Sequence, residues 1–451
     1  MNRQARKVFL IWLCFVLLFS LNFKQTRKPT EKNPPIYSLE ADFPSLNEGL
    51  PFKSRGPAWS PDYILVKFKP ALDQEFHISV LSAYNLRQIK RIPVLNIYRA
   101  KISASSSVKE MVSILNQNPD VAYAEPDYKA YIAVTPNDPF FQYQYALYNK
   151  GQEIGIPGSP SGKSRADIKA TESWEETRGD PSVVIAIIDT GIDFNHPDLM
   201  NKIHSSGYDF VNDDSDPTDD QGHGTHVAGI AASETNNNEG IAGVSWNCTI
   251  LPLKVMDAQG EGYYSWMIEA IRYAVDNGAS VINFSLGGDQ PSQALEEGLR
   301  YAVEKKVVIV AAAGNEADSV LYPAAYDSYC LAVASSDYND RRSLWSNFGP
   351  EVDVTAPGER ILSCVPLWYW GEGALPYGFG FGTSMAVPHV AGLAALIKAV
   401  KPWMTPQDIM NVIRYTSDDI NKQEYPGKDE YIGYGRINME KALVPIKITG
   451  D

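Results

Sequence analysis

The chain has 451 residues, 44% of them hydrophobic, and a formal net charge of −14. That length exceeds one ordinary domain of ~100–200 residues and supplies enough apolar material for a sizeable buried core. The acidic balance argues against nucleic acid as a partner, because phosphate binding draws on clustered Lys and Arg.

At the N-terminus, Arg3, Arg6 and Lys7 precede a nearly continuous apolar run over residues 8–23. A basic start and a short apolar run have the layout of a secretory signal. The run is shorter than the ~20 residues that a comfortable spanning helix uses. Ser20-Leu21-Asn22-Phe23, however, offers bulky groups where a signal peptidase takes small ones. Residues 1–24 are therefore either a cleaved signal peptide or a membrane anchor, and both place the rest of the chain outside the cytoplasm. Residues 25–60 are rich in Pro, Lys, Ser and Asn without apolar periodicity, which reads as a linker.

Residues 61–133 form a compact unit. A strand is expected over 63–68, a strand pair over 89–102 around the turn at Pro93–Asn96, a helix over 108–116 and a last strand at 121–124. Such a mixture in so short a stretch predicts a small α+β module of ferredoxin-like type. It holds no cluster of reactive groups. From residue 134 to 451 the pattern changes to apolar strands (183–188, 281–284, 307–312) alternating with helices (264–277, 293–305). Strands that are apolar throughout are buried on both faces. The expected fold is α/β, a parallel sheet with helices on both faces and function at the C-terminal ends of its strands.

Four cysteines are few, and Cys14 lies in the apolar run. Cys248, Cys330 and Cys364 are an odd set without metal-ligand spacing, so at most one disulfide joins them. They read as buried thiols in strands or at strand ends.

Three strings carry chemistry. I-A-I-I-D-T-G-I-D puts Asp189 where a buried strand ends; G-H-G-T-H-V-A-G puts His223 at the opening of an apolar helix; F-G-T-S-M-A-V-P-H-V-A-G puts Ser384 at the start of another. Singly, each has an ordinary structural use, since a Ser before a helix is commonly an N-cap. Together, the order Asp, His, Ser on an α/β sheet is a known triad order. With A-A-A-G-N at 311–315, these strings resemble the subtilisin (subtilase) family over nearly everything after Thr135.

That resemblance implies a serine endopeptidase. Ser384 would be the nucleophile, His223 the base that takes its proton, and Asp189 the group that orients and stabilises the imidazole. His226 receives a structural place; a metal reading of the two histidines lacks the Glu of H-E-x-x-H. Asn315 would donate its side-chain amide to the oxyanion beside the Ser384 backbone N–H. Ser285, Leu286, Gly287 and Gly288 would line the groove and pair with an extended polypeptide substrate. Leu286 and Gly287 with Ala312 and Ala313 suggest a roomy apolar pocket for the side chain at the cleaved bond, near Glu316.

The thermitase-like branch of the family further implies calcium. Asp138 in T-P-N-D-P-F-F, Asp198 in N-H-P-D-L, the Asn237 side chain and the backbone oxygens of Glu234, Glu239 and Ile241 would form a tight site of hard oxygen donors. Asp209, Asp214, Asp216 and Thr218 resemble a second calcium loop, with a solvated acidic loop as the alternative. The upstream module, from Y-I-L-V-K-F-K-P to D-V-A-Y-A-E-P-D-Y, resembles subtilase propeptides. Such a unit would inhibit its own enzyme, assist folding and be cut off between Tyr128 and Thr135. Departures from the family are Phe381 where Ser is usual, Val387 where Thr is common, and a longer, more aromatic 366–379 segment with Trp368, Tyr369 and Trp370, expected to form a lip. Two rivals share the scaffold: a catalytically silent peptide-binding protein and a transpeptidase. An esterase of α/β-hydrolase type would need G-x-S-x-G, which is missing.

Overall fold

The computed structural model describes residues 37–38, 59–70, 73–104, 106–128, 134–155, 159–371 and 373–443. The apolar run at 8–23, most of the expected linker, and residues 129–133 of the expected cleavage stretch lie outside the described residues. Strand β1 is the short segment Tyr37–Ser38.

The first compact unit comprises β2 (Trp59–Phe68), a helix Gln74–Ala83, β3 (Arg87–Ile92), β4 (Ile97–Lys101), a helix Val108–Asn116 and β5 (Val121–Tyr128). Its antiparallel sheet has the order β3-β4-β2-β5, the ferredoxin-like arrangement expected. Alternation along β2 buries Ile64, Val66 and Phe68 against Leu81, Met111 and Leu115 of the two helices. Side chains of Asp73 and Ser107 cap those helices on the N–H groups of Phe76 and Glu110. The Gln74–Ala83 helix is not among the expected elements, because one of its inward positions is His77, which interrupts the apolar stripe. The ring is kept there by a 2.9 Å hydrogen bond to the Tyr98 hydroxyl and by stacking on Phe68.

The second unit is built on seven strands: β6 (Val184–Asp189), β7 (Tyr208–Asp209), β8 (Thr249–Lys254), β9 (Ala279–Phe284), β10 (Val308–Ala312), β11 (Cys330–Ser336) and β12 (Val354–Pro357). Their order is β12-β11-β10-β9-β6-β8-β7, and every neighbouring pair is parallel. Side chains of β6 alternate between two cores. Ile185 and Ile187 join Val227 of the helix His223–Ala232 and Val390 and Leu393 of the helix Thr383–Val400. Ala186 and Ile188 join Met267 and Ile271 of the helix Tyr264–Asp276 and Leu295 and Leu299 of the helix Gln293–Glu304. Helices thus cover both faces, which is why these strands read as apolar throughout. Among the described residues, the one helix long and apolar enough to cross a membrane is Thr383–Val400, and it is buried in this core.

After β6 the chain fills one side of the sheet and then crosses to the other at β9. The C-terminal ends of β6, β9 and β10 therefore meet at a topological switch point, where open α/β sheets place their ligands. A smaller antiparallel sheet, β1-β14-β13, combines β13 (Ile361–Cys364) and β14 (Tyr377–Gly380) with Tyr37–Ser38. Part of the expected linker is thus a short strand. Cys248, Cys330 and Cys364 are buried free thiols just before β8, at the start of β11 and at the end of β13.

Candidate active site

Asp189 is the last residue of β6 and is almost fully buried. The helix His223–Ala232 begins against this strand end because two glycines flank its first residue. Gly222, with φ of +109°, turns the chain into the helix, and a Cβ on Gly224 would lie 2.2 Å from the Gly191 carbonyl oxygen. His223 Nδ1 consequently meets Asp189 Oδ1 at 2.7 Å. Burial pulls the imidazole down, but the Asp189 charge and hydrogen bond, with the Asp219 charge behind them, outweigh it and leave its pKa above the ordinary 6.5.

Asp219 is a site residue that sequence reasoning missed. In the sequence it merges with the acidic loop, yet its carboxylate is buried and binds Thr190, Gln221, Gly222 and Thr225 around His223. The only sequence signal is its place four residues before His223.

Ser384 is the second residue of the helix Thr383–Val400, where backbone N–H groups lack intrahelical partners. Its Oγ–H donates to the Ser285 carbonyl at 2.8 Å, while the Ser285 hydroxyl donates to the Ser384 carbonyl at 2.8 Å. At rest, then, the serine proton is held by the strand end after β9 and not by the imidazole. Rotation about the Cα–Cβ bond is needed to redirect it, a common state for a hydroxyl with no substrate beside it.

Asn315 lies three residues beyond β10. Its Oδ1 accepts from the Thr383 amide N–H at 2.8 Å and the Thr383 hydroxyl at 3.0 Å. With the carbonyl end committed, the Nδ2 end is the one left to donate.

The chain matches the subtilase family over residues 180–435 and the fervidolysin N-terminal prodomain over residues 52–127. The chain belongs to the subtilase family. It is 43% identical over 339 residues to the thermophilic serine proteinase of Bacillus sp. (strain AK1), covering 75% of this chain and 76% of that one. It is 40% identical over 309 residues to thermitase of Thermoactinomyces vulgaris, covering 68% and 99%. Among solved structures, a protease from Pseudoalteromonas arctica PAMC 21717 superposes with a TM-score of 0.58 at 32% identity, covering 69% and 99%. This subtilase is a serine endopeptidase with an N-terminal prodomain.

The segment Ser285–Gly288, expected to line the groove, follows β9. Gly288 already exchanges both backbone hydrogen bonds with Tyr322, each at 2.8 Å, so its N–H and C=O are engaged within the protein. Leu286 is partly exposed and Gly287 is exposed. Ala312 and Ala313 are buried, the Ala313 backbone is tied to Val333 and Leu321, and the two methyls belong to different cores, Ala312 to the one with Val227 and Ala313 to the one with Met267. Glu316 folds back onto the Asn315 N–H at 2.8 Å and Asn347 Nδ2 at 3.3 Å. His226 is fully buried with Nε2 on the Gly378 carbonyl at 3.2 Å, and burial pushes it down to about 3.

Asp138 and Asp198, far apart in sequence, converge on the 234–241 loop. Asp138 accepts from the Asn236 N–H at 2.9 Å; Asp198 accepts from Asn237 Nδ2 at 3.1 Å, the Ile241 N–H at 2.9 Å and the Tyr377 hydroxyl at 3.0 Å. Both carboxylates are buried, and burial raises them, Asp138 to about 7 and Asp198 to about 6. Neither forms a salt bridge with Lys or Arg among the described residues. Two buried acids with no cationic side chain beside them suit a hard divalent ion, although the groups held on their oxygens are N–H and O–H donors. The Glu234 N–H donates to the Asp198 carbonyl, and the Glu239 N–H donates to Asn237 Oδ1.

The second acidic loop is arranged differently. Asp209 accepts from the N–H groups of Val211 and Asn212, Asp214 from the Asp216 N–H, and Asp216 from the Thr218 hydroxyl. Each carboxylate is turned onto its own local backbone or neighbour, as in Asx turns. No group of three or more acidic, His or Cys side chains suited to a metal occurs among the described residues.

Proposed function

We propose that this subtilase cleaves extended polypeptides through an acyl-enzyme on Ser384. His223 takes the Ser384 proton as Oγ bonds to the carbonyl carbon. The oxygen's developing charge is received by Asn315 Nδ2 and the Ser384 N–H. The intermediate collapses by expelling the amine, which leaves with the proton from His223. Water then repeats the sequence in reverse roles and frees the acid and Ser384. Asp189 keeps Nδ1 protonated and steadies the imidazolium. What supports this reading is the 2.7 Å His223–Asp189 bond, together with an Asn315 whose carbonyl end is tied to the residue before Ser384.

The prodomain is its intramolecular inhibitor, removed by the enzyme itself between Tyr128 and Thr135. Residues 1–24 direct export, with 8–23 either removed or retained as an anchor. Calcium would be held by Asp138, Asp198, Asn237 and the backbone oxygens of Glu234, Glu239 and Ile241, neutralising the buried acids and locking the loop. For the loop of Asp209, Asp214, Asp216 and Thr218, the self-satisfied carboxylates favour a solvated acidic loop. Replacing Ser384 with Ala tests the central claim by intact mass. Wild type yields a mature form lacking the prodomain, whereas the variant remains an unprocessed precursor; normal maturation of the purified variant would refute it.

A further inference from the structure

The loop between β13 and β14 carries Trp368, Tyr369 and Trp370 in succession. It is fastened at three points to the elements that present His223. The Leu367 N–H donates to Asp193 Oδ2 at 2.8 Å, and Trp368 Nε1–H donates to the Asp219 carbonyl at 3.2 Å. The Tyr369 ring lies over Gly222, where a Cβ would come within 2.8 Å of a ring carbon. Tyr369 also packs on both tryptophans, with ring centroids 5.6 Å from Trp368 and 4.8 Å from Trp370.

Although so firmly held, this loop leaves much apolar surface in water. Leu367 is 47% exposed and Trp368 52%. Collapse onto the core would have hidden these side chains; the polar fastenings keep them presented instead. A rigid aromatic face beside a reaction centre loses little entropy when it grips a ligand. Its position follows from the sheet order. Asp193 follows β6, and Asp219 and Gly222 lead from β7 into the helix of His223, tied back to the β6 end by the Ile192–Thr218 bridge, whereas Ser285–Gly288 and Asn315 follow β9 and β10 on the opposite side of β6 in the sheet.

We propose that the Leu367–Trp370 face is a substrate subsite. It receives a large apolar side chain of the polypeptide at a position flanking the cleaved residue, on the imidazole side of the cleft. The subsite would thus add a selectivity separate from that set at the cleaved residue itself. This inference rests on the proteolytic reading above.

Positional peptide-library cleavage by the mature enzyme tests it, with Trp368→Ala and Trp368→Phe compared with wild type. At one flanking position wild type should favour Leu, Phe or Trp over Ala or Ser by about tenfold. Trp368→Ala should erase that preference and Trp368→Phe should keep most of it. Hydrolysis of an N-acetyl amino-acid methyl ester, which has no flanking side chain, serves as the internal reference and should proceed equally in all three. An unchanged library profile in Trp368→Ala overturns the proposal. A parallel loss of ester hydrolysis also overturns it, since the loop would then act only as a prop for His223. Failure of wild type to hydrolyse the ester would instead count against the proteolytic reading.

Discussion

Asp219 grips Thr225 twice, taking its amide N–H at 3.0 Å and its hydroxyl at 2.6 Å on Oδ2. Through Oδ1 it also takes the Thr190 hydroxyl at 2.8 Å and the Gly222 N–H at 2.8 Å. Thr190 follows Asp189, and Gly222 precedes His223. One carboxylate therefore clamps the strand end that carries Asp189 to the helix start that carries His223.

This clamp predicts a pH signature. His223 must be neutral to accept a proton, and its pKa lies above 6.5. The acidic limb of kcat/KM should accordingly have its midpoint above 6.5, activity rising as pH climbs through it. Asp219→Asn keeps the size but removes a charge that favours the imidazolium, so the midpoint should move down. Faulty placement of the base should also lower kcat/KM by about 10- to 100-fold. Profiles for the two mature enzymes decide the matter; coincident midpoints would show that Asp219 does not act on His223.

For the oxyanion donor, Asn315→Ala should reduce kcat by about 10²–10³ with little change in KM, the size of loss that removing the corresponding donor causes in a subtilisin of this same family. Steady-state kinetics on one peptide substrate suffice. A KM effect alone would mean that Asn315 binds the ground state and not the developing charge.

Calcium makes a third prediction, with a sign that can be worked out. Without the ion, Asp138 and Asp198 have folded pKa values of about 7 and about 6, above the ordinary 3.8. Their contribution to stability is present at low pH and is lost as pH rises through those values. Thermal unfolding of inhibitor-blocked mature enzyme in chelator should therefore show Tm falling between about pH 4 and about pH 7 and levelling off above, a window set by these two groups. Calcium at ~100 times its Kd should restore about 2.7 kcal/mol. Asp198→Asn should abolish most of the calcium response. A Tm indifferent to chelator at high pH would remove calcium from this site.

Much of the site is legible because each reactive residue marks a change of local structure. Asp189 ends a run of apolar residues; His223 and Ser384 open helices that are apolar all round. What remains hidden depends on contacts across the fold. Asp219 looks like one more member of an acidic stretch until Thr190, 29 residues earlier, is brought to it. The resting bond from Ser384 to Ser285 is a choice between rotamers that sequence does not encode. The Gln74–Ala83 helix escapes notice because His77 stands at an inward position, made tolerable by Tyr98 and Phe68. The aromatic segment is unusual on sequence alone, but its attachment to Asp193, Asp219 and Gly222 becomes apparent only in three dimensions.

Thr383 serves as a common mooring, since it holds the carbonyl end of Asn315 and is the residue next to Ser384. A breathing motion that shifts the beginning of this helix should carry Ser384 and Asn315 together, so their spacing survives excursions that would uncouple two independently mounted groups. Heat tolerance of the chemistry can in that way outlast rigidity of the surrounding loops.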